Sequence, residues 1–239
     1  MTDKADALIA QLHALASPQR AAISQNFFKT GPGQYGEGDV FIGITMPDLR
    51  ALTKKHRDVD LSTIRALLAS GYHEVRMFAL LLLIQFYQAA DEAGQQAAFE
   101  LYIGNTGYIN NWDLVDVSAP HIVGCHLWKR PRGILMQLAR SDSLWERRIA
   151  ILSTFYFIRK NDFDDTLRIA EVLLDDEHDL MHKAIGWMLR EVGKRDQALE
   201  EHFLQQHYPR LARTALRYAI ERFAPVLREK YLKGHFSIA

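Results

Sequence analysis

Asn110-Asn111-Trp112-Asp113-Leu114-Val115-Asp116 stands where an internal repeat requires a copy. Three other segments share its mix of apolar and charged positions: Glu74-Val75-Arg76-Met77-Phe78-Ala79-Leu80, Trp145-Glu146-Arg147-Arg148-Ile149-Ala150-Ile151 and Leu180-Met181-His182-Lys183-Ala184-Ile185-Gly186. A weaker one covers residues 211–216. Matching Met77, Arg148 and Lys183 leaves one vacancy, at Trp112, and filling it gives spacings of 35, 36 and 35 residues. A period of this length marks pairs of helices whose apolar faces are buried only by stacking on the next pair. The expected fold is therefore all-α, an α-solenoid of HEAT-like helical repeats forming a single domain over residues 1–239, with a concave face.

Outward from the repeat, the rest of the chain agrees. Residues 3–16 have helical apolar spacing at Ala7, Leu8, Leu12 and Leu15, and Ser17-Pro18 ends that helix and caps the next. Thr45 and Pro47 mark another helix entry. From Leu61 onward, amphipathic stretches alternate with short polar breaks, and no alternating strand of useful length appears. The one glycine-rich loop, residues 31–39, has Gly31, Gly33 and Gly36 at dinucleotide-fingerprint spacing. No strand precedes it and no crossover unit follows, so the match reads as accidental.

Composition narrows the function. The chain has 239 residues, 48% of them hydrophobic, enough for a sizeable core. Its longest apolar run, residues 78–84, is far too short to span a bilayer, and the early apolar stretch lacks a basic leader. A soluble cytoplasmic protein is expected, with no membrane partner. Lys and Arg number 29 and so do Asp and Glu, giving no global attraction to a polyanion, although the second half of the chain leans basic. The single cysteine, Cys125, lies in an apolar helical pattern and reads as a buried structural thiol.

The repeat also aligns chemistry. Trp112, Arg148 and Lys183 occupy one slot in successive copies, and Asp116, Leu152 and Trp187 follow one turn later. Equivalent slots of a solenoid line up, so Trp112, Asp116, Arg148, Lys183 and Trp187 are expected along one face. Two tryptophans, a carboxylate and two cations suit a site that holds a cationic or flat group. The plainer alternative has both tryptophans packing between helices and Asp116 pairing with Arg148. Asp113, about 100° round the helix from Trp112, reads as a capping or surface residue. His178 and His182 have metal-ligand spacing but no third ligand nearby, so no metal is expected.

With these residues in view, the chain resembles the HEAT-like repeat DNA glycosylases of the AlkD type, a DNA alkylation repair family. Phe41-Ile42-Gly43-Ile44 through Arg50 looks like the family's entry segment, and Trp112-Asp113-Leu114-Val115-Asp116 looks like its Trp-Asp-x-Val-Asp motif. The segments around Arg148 and from Lys183 to Glu191 are similar to two further blocks. The resemblance implies a catalytic cleft of Asp116, Trp112 and Trp187, with Arg148, Lys183, Phe27 and Arg190 contacting DNA. Phe27 takes the place of a tyrosine, so that hydroxyl contact is absent, and the loop 31–39 is longer. The implied reaction is excision of cationic N3- and N7-alkylated purines from duplex DNA by a monomer that needs no cofactor. A non-catalytic scaffold for protein, or a DNA binder without base excision, is the competing expectation.

Overall fold

The computed structural model describes residues 3–235, and these are all-α. Among them the only β pairing is an isolated parallel bridge between Val40 and Tyr72. The chain divides into two compact units at Ser118 and Ala119.

The first unit contains α1 (Asp3–His13), α2 (Pro18–Phe27), α3 (Met46–Lys55), α4 (Leu61–Leu68), α5 (His73–Ala89), α6 (Glu92–Ile103) and α7 (Trp112–Ser118). Side-chain oxygens start several of them. Ser17 accepts from the Arg20 N–H, Thr45 from that of Asp48, Asp60 from that of Thr63 and Asp91 from that of Gly94. Each satisfies one of the amide donors that a helix start leaves without an intrahelical partner. The first helix ends sooner than its apolar spacing predicts. Leu15 and Ala16 turn back to the carbonyls of Leu12 and His13, and Ser17 gives its N–H to Ile42. Long-range pairing with the entry segment therefore outweighs another helical turn. The core is built on α5, whose Val75, Phe78, Leu80 and Leu83 are fully buried and which packs against α3, α4, α6 and α7.

The second unit opens with a wide π-helical turn, Pro120–Gly124, followed by α8 (Cys125–Leu127), α9 (Gly133–Ala139) and α10 (Leu144–Ser153). It continues with α11 (Phe155–Ile158), α12 (Asp164–Val172), α13 (Asp179–Gly193), α14 (Gln197–His207), α15 (Arg213–Ala219) and α16 (Pro225–Lys233). Here α13 is the hub, packed against α10, α14 and α15. Two glycines set the closeness of this packing. A Cβ on Gly124 would overlap the Ser153 carbonyl, and one on Gly186 would overlap that of Ala215. The four matched segments of the sequence repeat all fall on helices: α5, α7, α10 and α13.

Two expectations change around α8. Cys125 is only partly buried and lies close enough to Tyr156 to push the pKa of that phenol up, while neighbouring His126 takes the buried position. The π turn adds a residue to the helical repeat here, so helical phase counted through it from the sequence is shifted.

Candidate active site

The site region of the first unit begins with a buried carboxylate. Glu74, in the first turn of α5, accepts N–H groups from Ile42, Gly43 and Ile44 at 3.0, 2.7 and 3.3 Å. Those amides belong to an irregular segment and have no secondary-structure partner, so the carboxylate supplies what a sheet or helix would. Gly43 makes this possible. Its φ is +81°, and a Cβ there would overlap the Ser17 carbonyl.

Beside it lies a cluster of four charged groups. His73 presents Nδ1 to Asp39 at 2.7 Å and Nε2 to Asp113 at 2.8 Å. Arg76 donates Nη2 to the other Asp39 oxygen at 2.7 Å and to Asn110 at 3.1 Å, and Nη1 to the Ser70 carbonyl. Burial opposes charge on the imidazole, but the bonds to Asp113 and Asp39 outweigh it and push its pKa up to about 9. Burial likewise opposes charge on Asp39, and His73 and Arg76 overcome it, leaving its carboxyl below the usual range. Two carboxylates thus face an imidazolium and a guanidinium, all deeply buried except the partly exposed Asp113, a balanced arrangement.

Against this cluster stands a column of rings. His73 stacks on Phe41 with centroids 4.3 Å apart, Phe41 on Phe28 at 4.8 Å, and Phe28 on Trp112 at 5.2 Å. Phe27 meets the same indole edge-on at 6.1 Å and is 62% exposed. The Trp112 N–H donates to the Tyr35 hydroxyl at 3.3 Å. The loop 31–39 therefore brings a phenol to the indole and, at its end, Asp39 to the charged cluster. Its Gly33 and Gly38 have positive φ values, which makes the glycines turn formers.

Trp112 opens α7, and Asp116 follows one turn later on the same side; both are half-buried. The residues flanking Trp112 are tied down. Asn111 is wholly buried, accepts the Trp112 N–H and donates to Asp39 at 3.3 Å, while Asp113 accepts from His73 and from the Leu114 N–H. Asp113, expected as a capping or surface residue, lies in the first turn of α7 and bonds inward to His73. Beneath α7, the fully buried Tyr102 bonds to Ser118 at 2.9 Å, and burial together with the charge of Asp116 raises its pKa.

In the second unit, Arg148 on α10 is 5% exposed and gives Nη1 to the Leu180 carbonyl in the first turn of α13 at 2.6 Å. It is thereby joined to the helix that carries Lys183, Trp187 and Arg190. Lys183 pairs with Asp179 at 2.7 Å, and Arg190 pairs with Glu221. The Trp187 N–H donates to Glu191 at 3.2 Å, and its ring lies against Phe155 at 5.8 Å. Arg159 sits over the other ring of that pair, 4.1 Å from the Phe155 centroid. His178 and His182 serve the start of α13, one accepting the Leu180 N–H and the other bonding to the Asp176 carbonyl.

A family model described as DNA alkylation repair enzyme matches residues 8–223. The chain belongs to that family. A solved structure with similar architecture is a predicted DNA alkylation repair enzyme from Enterococcus faecalis, at 22% identity and a TM-score of 0.69. The similarity covers 88% of this chain and 97% of the other, and at this identity it speaks for the fold. No curated protein matches.

In this DNA alkylation repair family member, the matched span contains every candidate site residue named from the sequence. Sequence reading missed His73, Asp39, Phe28, Tyr35, Phe155 and Arg159. The repeat register could have flagged Phe155 and Arg159, one and two turns past the slot at Leu152, and His73, one turn before the slot at Met77. The others come from the irregular segments before α3, where no periodicity predicts a neighbour.

Proposed function

We propose that this DNA alkylation repair family member is a DNA N-glycosylase that excises cationic N3- and N7-alkylated purines from duplex DNA. The observation that carries the proposal is the α7 pair. An indole fixed by Tyr35 and Phe28 stands one turn from a half-buried carboxylate, Asp116.

An alkylated purine of this kind already bears positive charge and leaves without an enzyme acid. Breaking its glycosidic bond places oxocarbenium character on the deoxyribose. A fixed carboxylate is the group that such a reaction most needs, both to stabilise the cation and to orient the attacking water. Asp116 supplies that carboxylate. One face of Trp112 lies on Phe28, and we assign to the sugar and the cationic base the part of the half-buried indole that stays exposed. Phe27, exposed beside the indole, offers an apolar contact to the same nucleotide. In the second unit, we assign Trp187 an aromatic contact with DNA and Lys183 and Arg190 phosphate contacts, made at the cost of exchanging their present carboxylate partners. Arg148, mostly buried and bonded to the Leu180 carbonyl, supports the start of α13 and the residues it carries.

The test is release of free 7-methylguanine and 3-methyladenine from methylated duplex DNA by the purified chain. Release of either base above the spontaneous rate supports the proposal. A folded protein that releases neither leaves the scaffold or binding-only reading in its place.

A further inference from the structure

We propose that His73, bridging Asp39 and Asp113, is the positioning residue of this site, acting through the start of α7 to set the indole of Trp112 and the carboxylate of Asp116. It does not touch substrate. For its kinetic consequence the proposal rests on the glycosylase reading, but its structural consequence does not.

The geometry gives His73 two routes to Trp112. Through Asp113 it holds the residue just after the tryptophan, at 2.8 Å. Through Asp39 it is joined to Asn111, the residue just before, which bonds the same Asp39 oxygen at 3.3 Å. The imidazole also ends the ring column in which Phe41 and Phe28 carry Trp112. The backbone on both sides of the indole and one face of its ring are thus referred to one buried side chain. Asp116, a turn further along the seven-residue α7, inherits that placement.

The bridge needs a proton on each ring nitrogen, because an ionised carboxylate only accepts. The groups facing His73 are Asp39 from the loop, Asp113 from α7 and Arg76 from its own helix, with Phe28 and Phe41 against the ring. Neighbouring Glu74 turns instead to the amides of residues 42–44. A neutral imidazole donates from one nitrogen only, so losing the proton releases either Asp39 or Asp113. Release at either end removes the imidazole's hold on one side of Trp112, leaving that side to its remaining bonds.

The experiment labels the protein with 5-fluorotryptophan, which reports four tryptophans, and assigns the Trp112 fluorine resonance with Trp112→Phe. Between about pH 6 and about pH 10, the Trp112 resonance should titrate with the imidazolium while those of Trp128, Trp145 and Trp187 stay in place. The titration should vanish in His73→Gln and move to lower pH in Asp113→Asn. If His73→Gln does not fold, the wild-type curve and Asp113→Asn decide. A Trp112 resonance that does not move over this range, or one unchanged in a folded His73→Gln protein, overturns the proposal.

The kinetic arm separates this outcome from that of the glycosylase reading. Misplacing a catalytic group slightly costs about tenfold or more in rate, so single-turnover excision by His73→Gln should fall by that factor while the DNA Kd changes less than about threefold. Excision at the wild-type rate counts against the proposal. If the wild type itself excises nothing, the glycosylase reading fails and the Trp112 titration still decides the role of His73.

Discussion

The indole N–H of Trp112 is directed at the hydroxyl of Tyr35, 3.3 Å away across 77 residues of chain. This bond joins the glycine-rich loop to the start of α7, and it places a phenol beside the indole although position 27 carries none. Tyr35→Phe removes one neutral hydrogen bond, worth about 1 kcal/mol of stability, so the melting temperature should fall by about 2–4 °C and excision should slow as the indole loosens. Single-turnover rates with calorimetry check this. An unchanged rate would show that the ring column alone fixes the indole.

Glu74 answers three backbone N–H groups of the entry segment, which have no other partner there. Truncating a buried acceptor of this kind costs each donor its desolvation, so Glu74→Ala should destabilise the first unit by about 3 kcal/mol or more. Urea unfolding followed by hydrogen exchange at residues 42–44 measures it. Retained protection of those amides would mean that the backbone finds another partner.

In the second unit, Glu200 on α14 is 2% exposed and its Oε1 has no hydrogen-bond partner. Burial, with the charge of Glu201, pushes its pKa up to about 9 from the ordinary 4.5 of a glutamate. A folded state that holds this proton loses stability as pH rises from the unfolded value towards 9, because the unfolded chain gives the proton up earlier. Glu200→Gln should therefore melt several degrees above the wild type near pH 8 and match it near pH 4. His73 acts in the same direction in the first unit: its contribution is full below 6.5 and is lost as pH rises through about 9. A wild-type melting temperature that is level from about pH 6.5 to about pH 9 would contradict both.

Gly186 admits close contact between α13 and α15, since a Cβ there would overlap the Ala215 carbonyl and crowd Tyr218. Overpacking of this kind costs about 1–3 kcal/mol, so Gly186→Ala should lower stability despite the better helix propensity of alanine. Denaturant melts decide the sign.

Much of the fold was legible because helices repeat locally. The spacing of 35 or 36 residues located α7, α10 and α13, and Ser17 and Thr45 located two helix starts to the residue. The pair Trp112 and Asp116 was legible for the same reason, being one turn apart. What holds that pair was not. Asp39 lies 72 residues from Asn111 and Tyr35 lies 77 from Trp112, and both come from a segment without regular structure. His73 was hidden in another way. Its residue type suggested nothing at the first position of an apolar helix, and only the convergence of two carboxylates gives it meaning. Arg148 shows the opposite limit, for its slot was legible but its burial was not.

The most direct measurement is single-turnover release of 7-methylguanine from methylated duplex DNA by wild type and Asp116→Asn, with DNA affinity measured alongside. Loss of a preorganised charge at the reacting centre should lower the rate by about 100- to 1,000-fold, with the DNA Kd within about threefold of wild type. Release by Asp116→Asn at the wild-type rate would contradict the role given to Asp116, and no release by the folded wild type would contradict the glycosylase reading itself.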